Sequence, residues 1–354
     1  MSRCHNKELG EVNMKKKYNV LDLFCGCGGL SKGFEMAGFK TALAIDFWKD
    51  AVVTFNHNHD SDVAICDDVS KISDEYLEEF LKHNHVCGIV GGPPCQGYST
   101  VGKRDINDDR NYLYLQYCRI VEKVKPDFFV LENVKGLLTL NKGAFKDDII
   151  KRFSEIGYQV EYKILNASDY GVPQNRNRVF FVGIKNKKFK FPEPYDYKVS
   201  TSEAISDLIE YEDRYSFDAK NEYQKMMRKN TKLLSNNEFT THTDKTIDVI
   251  SKIPDGGKIT DLPKEYWEIR KYNKAFQRMN SSIPSNTIDT GHRNYFHYSK
   301  NRIPTVRESA RLQSFTDDFV FYGSRTSQYK QVGNAVPPLL AYAIAREIMK
   351  QLGE

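Results

Sequence analysis

The sequence lacks any apolar run that approaches the ~20 residues needed to cross a bilayer. Its first segment, residues 1–20, carries lysines and an arginine but no apolar core, so it does not resemble a secretory signal. It also contains no internal repeat and no low-complexity tract. These absences argue against a membrane-spanning, a secreted or a repeat protein, and we expect a protein of the cytoplasm.

Metal-ligand spacing is equally scarce. The seven cysteines are an odd number in a long chain, which favours a reduced compartment over a disulfide framework. His83, His85 and Cys87 come nearest to a zinc pattern, but no C-x-x-C pair accompanies them. We therefore expect no metal site, and we interpret this stretch as a polar turn before a buried strand.

Positive charge is weak overall but unevenly distributed. The 354 residues carry a formal net charge of +5, and 40% of them are hydrophobic, which is enough for two domains with a packed core. Residues 220–307 contain 17 Lys and Arg against nine Asp and Glu. A basic middle segment beside a slightly acidic remainder indicates that one domain binds a polyanion, although charged faces are usually only solvated.

Strand-like and helix-like segments alternate over the first half of the chain. Apolar runs predict strands at 18–24, 40–45, 62–66, 85–92, 127–134, 159–165 and 179–184. Helical spacing predicts helices at 30–37, 48–57, 74–83, 111–124 and 144–156. This alternation predicts an α/β domain with a Rossmann-like, mainly parallel sheet. Residues 196–300 are polar and irregular, so we expect them to form a smaller domain, and residues 1–195 with 301–354 to form the larger one.

A glycine-rich turn follows the first predicted strand, in the segment DLFCGCGGL at 22–30. Glycines there let a ligand approach the backbone closely, and the next helix offers free N–H groups. Asp46 ends the second strand, where a carboxylate can accept hydrogen bonds from both hydroxyls of a ribose. Phe47 can stack on an adenine and Asp68 can bind its amino group. Together these features predict an adenosine site, whereas the turn alone would indicate only tight packing.

A single cysteine directly follows two prolines in the segment GGPPCQGYS at 91–99. Proline fixes φ, so the thiol of Cys95 is held on a rigid approach at the end of a strand. A lone cysteine is usually structural. Beside an adenosine site at the carboxyl end of a sheet, Cys95 becomes a candidate nucleophile.

Two further motifs place polar side chains at strand ends. Glu132 ends the apolar strand DFFVLENV, so we expect a partly desolvated carboxyl suited to acid–base work, with a strand-end ion pair as the alternative. Gln174, Arg176 and Arg178 alternate in QNRNR and would share one face of a strand. Two arginines on one face suit phosphate or carbonyl recognition, although an exposed basic strand would have the same pattern.

These motifs occur in an order that resembles the cytosine-5 DNA methyltransferase family of bacterial or phage type. The matching segments are FCGCGG, GPPCQGYS, ENV, QNRNR, RESARLQSF at 307–315 and QVGNAVP at 331–337. The resemblance covers about residues 18–352, and the region between QNRNR and RESARLQSF resembles the target-recognition domain of that family. It implies S-adenosyl-L-methionine as the cofactor and double-stranded DNA as the substrate.

The resemblance also implies roles for individual residues. Cys95 would add to C6 of a flipped cytosine, Glu132 would donate a proton or hydrogen bond at N3, and Arg178 would hold O2, supported by Arg176. Gln96 and Ser99 would lie near the space that the base vacates. The cofactor pocket would be lined by Phe24, Gly26, Gly28, Gly29, Leu30, Asp46, Phe47, Asp68, Val69, Pro94, Asn334, Ala335 and Val336.

Base readers are expected within the smaller domain, at Thr287, His292, Arg293 and Asn294, because Arg and Asn side chains recognise guanine and adenine edges. An ordinary surface turn is the alternative for this stretch. By the same resemblance we expect a monomer in the bacterial cytoplasm or nucleoid. A cognate restriction endonuclease that acts separately is left open by the sequence.

Three other functions compete with this interpretation. A nicotinamide-dependent dehydrogenase shares the glycine turn and the acidic second strand, but it does not require Cys95, Glu132 and two arginines in this order. An RNA methyltransferase on the same scaffold is a closer alternative than the dehydrogenase. Residues 195–300 are large and basic enough to read a duplex, which favours DNA over RNA as the substrate. A DNA-binding module without activity is disfavoured by the intact Cys95 and Glu132.

Overall fold

The structure is a computed structural model that describes residues 18–59, 62–94, 112–229, 231–269, 276–290 and 295–353. The chain forms two compact units. Unit 1 consists of Met1–Leu165, Asn177–Glu193 and Ala341–Glu354, and unit 2 of Asn166–Arg176 and Pro194–Leu340. Six predicted site residues lie outside the described residues: Cys95, Gln96, Ser99, His292, Arg293 and Asn294.

One sheet of seven strands is found in the described part of unit 1. The strands are β1 Asn19–Leu23, β2 Lys40–Asp46, β3 Ala64–Cys66, β4 Gly88–Gly91, β5 Phe128–Val134, β6 Tyr158–Asn166 and β7 Asn177–Lys185. They lie in the order β3-β2-β1-β4-β5-β7-β6. Strands β1 to β5 run parallel to one another, whereas β7 runs antiparallel to β5. The predicted α/β fold with a mainly parallel sheet is confirmed.

Helices alternate with the first six strands of unit 1 along the chain. They are α1 Gly29–Met36, α2 Lys49–Asn58, α3 Asp74–His83, α4 Tyr112–Val124 and α5 Ala144–Glu155. Helix α3 shows why the ends fall where they do. The Ser73 hydroxyl accepts a hydrogen bond from the Tyr76 N–H at 3.1 Å, and acidic side chains in the first turn with basic ones in the last complement the helix dipole.

The core of unit 1 is built on the central strands. All residues of β4 and the first four of β5 are buried, as expected for strands covered on both faces. The rings of Phe129 and Phe153 lie 3.9 Å apart between their centroids. A Cβ at Gly183 would come within 2.1 Å of the Phe129 ring, so glycine is required for that ring to lie across β7. This packing fixes β5 and β7 side by side.

Unit 2 is irregular and its elements are short. They are α6 Thr201–Ile205, α7 Glu222–Arg228, α8 Asp244–Lys252, β8 Gln277–Arg278, β9 Tyr295–Phe296, α9 Val306–Leu312 and α10 Arg325–Asn334. Helix α11, Pro338–Gly353, belongs to unit 1 from Ala341 onward. No helix in the described ranges is both long and apolar enough to cross a membrane.

A buried ion-pair network holds unit 2 together. Arg311 of α9 is fully buried and lies 3.0 Å from Asp207 Oδ1 and 2.6 Å from Asp317 Oδ2. Arg228 of α7 lies 2.6 Å from Asp207 Oδ2. These pairs explain why unit 2 extends past the predicted boundary at residue 300: α9 is bound to residues about 100 positions earlier in the chain. The compact units therefore divide the chain at different residues from the predicted domains.

Candidate active site

The glycine-rich turn leaves the carboxyl end of β1 with alternating left-handed residues. Phe24, Gly26 and Gly28 have φ of 62°, 53° and 91°. A non-glycine residue such as Phe24 rarely adopts this conformation, and strain of this kind clusters at functional sites. A Cβ at Gly26 would meet no atom within 4 Å, so this part of the turn is open to a ligand. The turn is strained, open at Gly26 and continuous with β1.

The Asp46 carboxylate anchors this turn from the end of β2. Its Oδ2 accepts from the Gly26 N–H at 2.8 Å and its Oδ1 from the Trp48 N–H at 2.9 Å. Burial raises its pKa, although these hydrogen bonds favour the charged form. The next side chain, Phe47, is 72% exposed. An aromatic ring held so far out into solvent beside a carboxylate has the surface that adenine stacking needs.

The remaining predicted cofactor residues of unit 1 lie at nearby strand ends. Asp68 follows β3 and its Oδ1 accepts from the Ser70 N–H at 2.8 Å, while Val69 is buried. Gly29 and Leu30 form the buried start of α1. Because β3, β2, β1 and β4 are parallel neighbours, their carboxyl ends, and hence these residues, share one edge of the sheet.

Asp22 is a buried acid that the sequence analysis did not single out. Its Oδ2 accepts from the Ser31 hydroxyl at 2.6 Å, while Oδ1 has no hydrogen-bond partner among the described residues. Burial raises the pKa of this carboxyl to about 7, against the lowering effect of the Ser31 hydrogen bond. A signal was present in the sequence, since a lone aspartate stands between the apolar residues Leu21 and Leu23 of strand β1.

Glu132 and Arg178 form an ion pair at the junction of β5 and β7. Arg178 Nε lies 2.9 Å from Glu132 Oε1, and the two side chains are only 18% and 13% exposed. The antiparallel register places Arg178 opposite Val134, so the beginning of β7 meets the end of β5. Glu132 thus has both features that were expected as alternatives. It forms an ion pair at the end of its strand, and its carboxylate is partly desolvated.

The segment that precedes Cys95 lies directly against this ion pair. A Cβ at Gly92 would come within 2.8 Å of Glu132 Oε2, so glycine is needed for the close approach. The Asn133 side chain donates to the Pro93 carbonyl at 3.0 Å, and Pro94 is half-buried. Unit 1 therefore brings Glu132, Arg178 and Gly92 together at the edge that also carries the glycine turn.

Unit 2 holds the other predicted site residues that the structure describes. Arg176 is 1% exposed, and its backbone N–H donates to Asn166 Oδ1 at 3.0 Å. The Thr287 hydroxyl donates to the Asn175 carbonyl at 2.7 Å. Asn334 is exposed at the end of α10, and Val336 is buried. The Ala335 carbonyl accepts from Gln313 Nε2 at 2.6 Å.

No group of three or more His, Cys, Asp or Glu that could hold a metal ion occurs in the part of the chain that the structure describes. The groups at the sheet edge are instead carboxylates, a guanidinium, an aromatic ring and open backbone. Such a set suits an organic cofactor and a planar polar base.

Known proteins are similar to this chain over most of its length. The family model for C-5 cytosine-specific DNA methylases matches residues 18–350. A type II methyltransferase of Haemophilus parahaemolyticus, M1.HphI, is 38% identical over 334 residues, which cover 93% of this chain and 86% of that protein. The type II methyltransferase M.DdeI of Desulfomicrobium norvegicum is 38% identical over 369 residues, with coverage of 93% and 88%.

A solved structure agrees with these relatives. The crystal structure of a protein described as a DNA modification methyltransferase encoded within an E. coli prophage matches with a TM-score of 0.81 at 27% identity, covering 95% of this chain and all of that one. The match of the family model over nearly the whole chain and the identity to both relatives lead to one conclusion. The chain belongs to the C-5 cytosine-specific DNA methylase family and is a DNA cytosine methyltransferase.

Proposed function

We propose that this enzyme flips a target cytosine out of duplex DNA and methylates C5 through a covalent bond between Cys95 and C6. The observation that carries the proposal is the Glu132–Arg178 pair, packed against Gly92 three residues before Cys95. A half-buried carboxyl beside a guanidinium can address N3 and O2 of one cytosine ring at once. A duplex hides C5 in the base stack, so the base must leave the helix.

The residues present fit S-adenosyl-L-methionine as the cofactor. The backbone at Gly26 is open, Phe47 is exposed, and the carboxyls of Asp46 and Asp68 supply hydrogen-bond acceptors. When bound, this cofactor supplies an electrophilic methyl group. We propose that Asp46 holds the ribose hydroxyls, Phe47 stacks on the adenine and Asp68 accepts its amino group. The further proposed contacts are Phe24, Gly28, Gly29, Leu30, Val69, Pro94, Asn334, Ala335 and Val336.

The proposed steps conserve atoms and charge. The Cys95 thiolate adds to C6, and Glu132 donates a proton or strong hydrogen bond to N3, so that C5 becomes nucleophilic. C5 takes up the methyl group and S-adenosyl-L-homocysteine is left as the product. A base then removes the C5 proton, N3 returns its proton to Glu132, and the sulfur–C6 bond breaks to restore the Cys95 thiolate. Arg178 stabilises charge at O2, and its position excludes purines. Arg176 supports this arrangement or contacts a phosphate.

A mechanism-based trap tests the Cys95 assignment. In a duplex with 5-fluorocytosine at the target, fluorine cannot leave as the proton does, so the adduct should survive denaturation as a slower band. Cys95→Ala should abolish that band, whereas Cys118→Ala, on helix α4, should leave it intact. A band of normal intensity from Cys95→Ala would show that another atom forms the bond.

We propose that residues 196–300 are the target-recognition region, and that Arg293 with Thr287, His292 and Asn294 contacts DNA while Gln96 and Ser99 fill the vacated space. Arg293→Ala, assayed on duplexes altered one base at a time, should lose roughly 1–3 kcal/mol on the cognate site and discriminate less at one position. An equal loss on all sequences with a lower salt slope would make Arg293 a phosphate contact.

The setting is proposed from the relatives, which are type II methyltransferases. We propose a monomer of the bacterial cytoplasm or nucleoid that modifies DNA beside a separately acting restriction endonuclease. Bisulfite sequencing of DNA from cells that express the chain should reveal one methylated motif. If methylation of that motif prevents cleavage by a restriction enzyme of the same specificity, the protective role is supported. Methylation without sequence preference would contradict it.

A further inference from the structure

Two fully buried glutamines in unit 2 have no role in the proposed chemistry. Gln174 and Gln313 are both 0% exposed. Gln174 Nε2 donates to the Leu312 carbonyl at 3.1 Å and to Gln313 Oε1, and Gln174 Oε1 accepts from the Ile288 N–H at 3.1 Å. Gln313 Nε2 in turn donates to the Ala335 carbonyl at 2.6 Å. We call these two side chains the amide relay.

One end of the relay holds the segment that leads into the proposed base readers. Ile288 directly follows Thr287, and residues 291–294 come three positions later. The same segment is attached to the residues before β7 by backbone hydrogen bonds: Asn175 N–H donates to Ser285 O at 2.8 Å, and Ser285 N–H donates to Pro173 O at 2.9 Å. The base-reading segment is thus joined to the stretch 173–175, which continues into Arg176 and Arg178.

The other end of the relay holds the segment that contains the proposed cofactor contacts of unit 2. A Cβ at Gly333 would come within 2.6 Å of the Asp289 carbonyl oxygen, so the backbones of these two segments touch. The Ala335 carbonyl, two residues later, is bound by Gln313. Three segments, 173–176, 285–290 and 333–335, therefore meet at two amide side chains.

We propose that Gln174 and Gln313 are positioning residues: Gln174 holds the segment on which base discrimination depends, and Gln313 holds the segment on which cofactor affinity depends. The inference rests on the proposed function. Its physical basis is that the Ile288 N–H and the Ala335 carbonyl each need a buried partner. An amide side chain both donates and accepts, whereas an ionised carboxylate only accepts and an aliphatic side chain does neither, so neither of these can replace the relay.

The chain offers a matched control in Gln224 of α7. It is also 0% exposed; its Oε1 accepts from the Lys220 N–H at 2.8 Å, and its Nε2 donates to Glu203 O and Ser206 Oγ at 3.0 Å. Gln174→Leu and Gln224→Leu therefore each remove three hydrogen bonds of the same donor and acceptor types, buried at Gln174 and part-buried at Gln224. Both variants should lose thermal stability to a similar extent, because each leaves backbone groups unpaired.

The readout is the ratio of kcat/KM on the cognate duplex to that on duplexes altered by one base. Gln174→Leu should lower this ratio roughly tenfold, the effect of one unpaired buried group, while Gln224→Leu should leave it unchanged. Gln313→Glu keeps the acceptor for Gln174 but cannot donate to Ala335. It should raise the KM for S-adenosylmethionine several-fold with the discrimination ratio retained, and Gln313→Leu should change both.

Two outcomes would overturn the proposal. One is an unchanged ratio in Gln174→Leu when its melting temperature falls as much as that of Gln224→Leu. The other, which remains decisive if Gln174→Leu does not fold, is an unchanged cofactor KM in the near-isosteric Gln313→Glu. Wild-type methylation is measured first on the same duplexes. If the wild type does not methylate cytosine at C5, the proposed function fails; if it does and the ratios do not move, only the relay fails.

Discussion

The buried carboxyl of Asp22 should make the stability of the protein fall as the pH rises. Its pKa is about 7 in the folded chain, against 3.8 for a free side chain. Between these values the folded state holds a proton that the unfolded state has released. The free energy of unfolding therefore decreases with pH across this window, and the loss is complete above about pH 7.

The magnitude follows from the shift. About three pKa units at roughly 1.4 kcal/mol each correspond to about 4 kcal/mol between pH 4 and pH 7, as an upper bound. In Asp22→Asn, the amide oxygen can still accept from Ser31, but the NH₂ group replaces an oxygen without a partner and costs about 1–3 kcal/mol. We expect the variant to be more stable than wild type at pH 8 by about 1–3 kcal/mol and less stable at pH 4.

Urea unfolding at a series of pH values, in the absence of cofactor, measures this crossing. Ser31→Ala is the matched comparison, because it removes the hydrogen bond that lowers the pKa of Asp22 and should extend the decline to higher pH. An equal pH slope in wild type and Asp22→Asn would refute the reasoning, since some other group would then carry the proton.

Three further variants test neighbouring features. Gly28→Ala should lower the melting temperature and weaken cofactor binding by at least tenfold, because φ at Gly28 is 91° and a Cβ there would lie 2.3 Å from His59 Nε2. Isothermal titration calorimetry measures the cofactor affinity. An unchanged affinity would place the cofactor elsewhere. Arg311→Ala should lower the free energy of unfolding by about 3–5 kcal/mol in chemical denaturation, because it leaves Asp207 without one of its buried partners. A loss below about 1 kcal/mol would mean that water enters the network and solvates the remaining charges. Glu132→Gln should bind DNA normally in a gel shift yet lose about 10²–10⁴-fold in kcat, and a near-normal rate would move the proton donor to another group.

Local pattern was sufficient to predict most elements of unit 1. The helix at 74–83 and the strand ends at Asp46 and Val134 fall where amphipathic spacing and apolar runs indicate them. Strand direction was not predictable in the same way. Nothing within 177–185 distinguishes an antiparallel strand from a parallel one, because direction is decided by pairing with β5. The Glu132–Arg178 contact depends on that direction, so it became visible only in the structure.

Unit 2 was less predictable because its stability comes from distant polar pairs rather than from periodic apolar faces. Arg311 and Asp207 are 104 positions apart, and no local pattern relates them. Short capped helices such as Glu222–Arg228 are also missed, since seven residues show too few turns for a reliable period. Gln174 and Gln313 were visible inside motifs, but their common role required knowing that the two motifs meet.

The interrupted course of the chain has a practical consequence for building chimaeric enzymes. Unit 2 is not one insertion: it includes the eleven-residue piece Asn166–Arg176 between β6 and β7 as well as Pro194–Leu340. A graft that transferred only residues 196–300 from a relative would leave the host's Pro173, Gln174 and Asn175 facing foreign partners at 285–288. A successful exchange of sequence specificity should therefore transplant both pieces together, with the cuts made at Leu165, Asn177, Glu193 and Ala341.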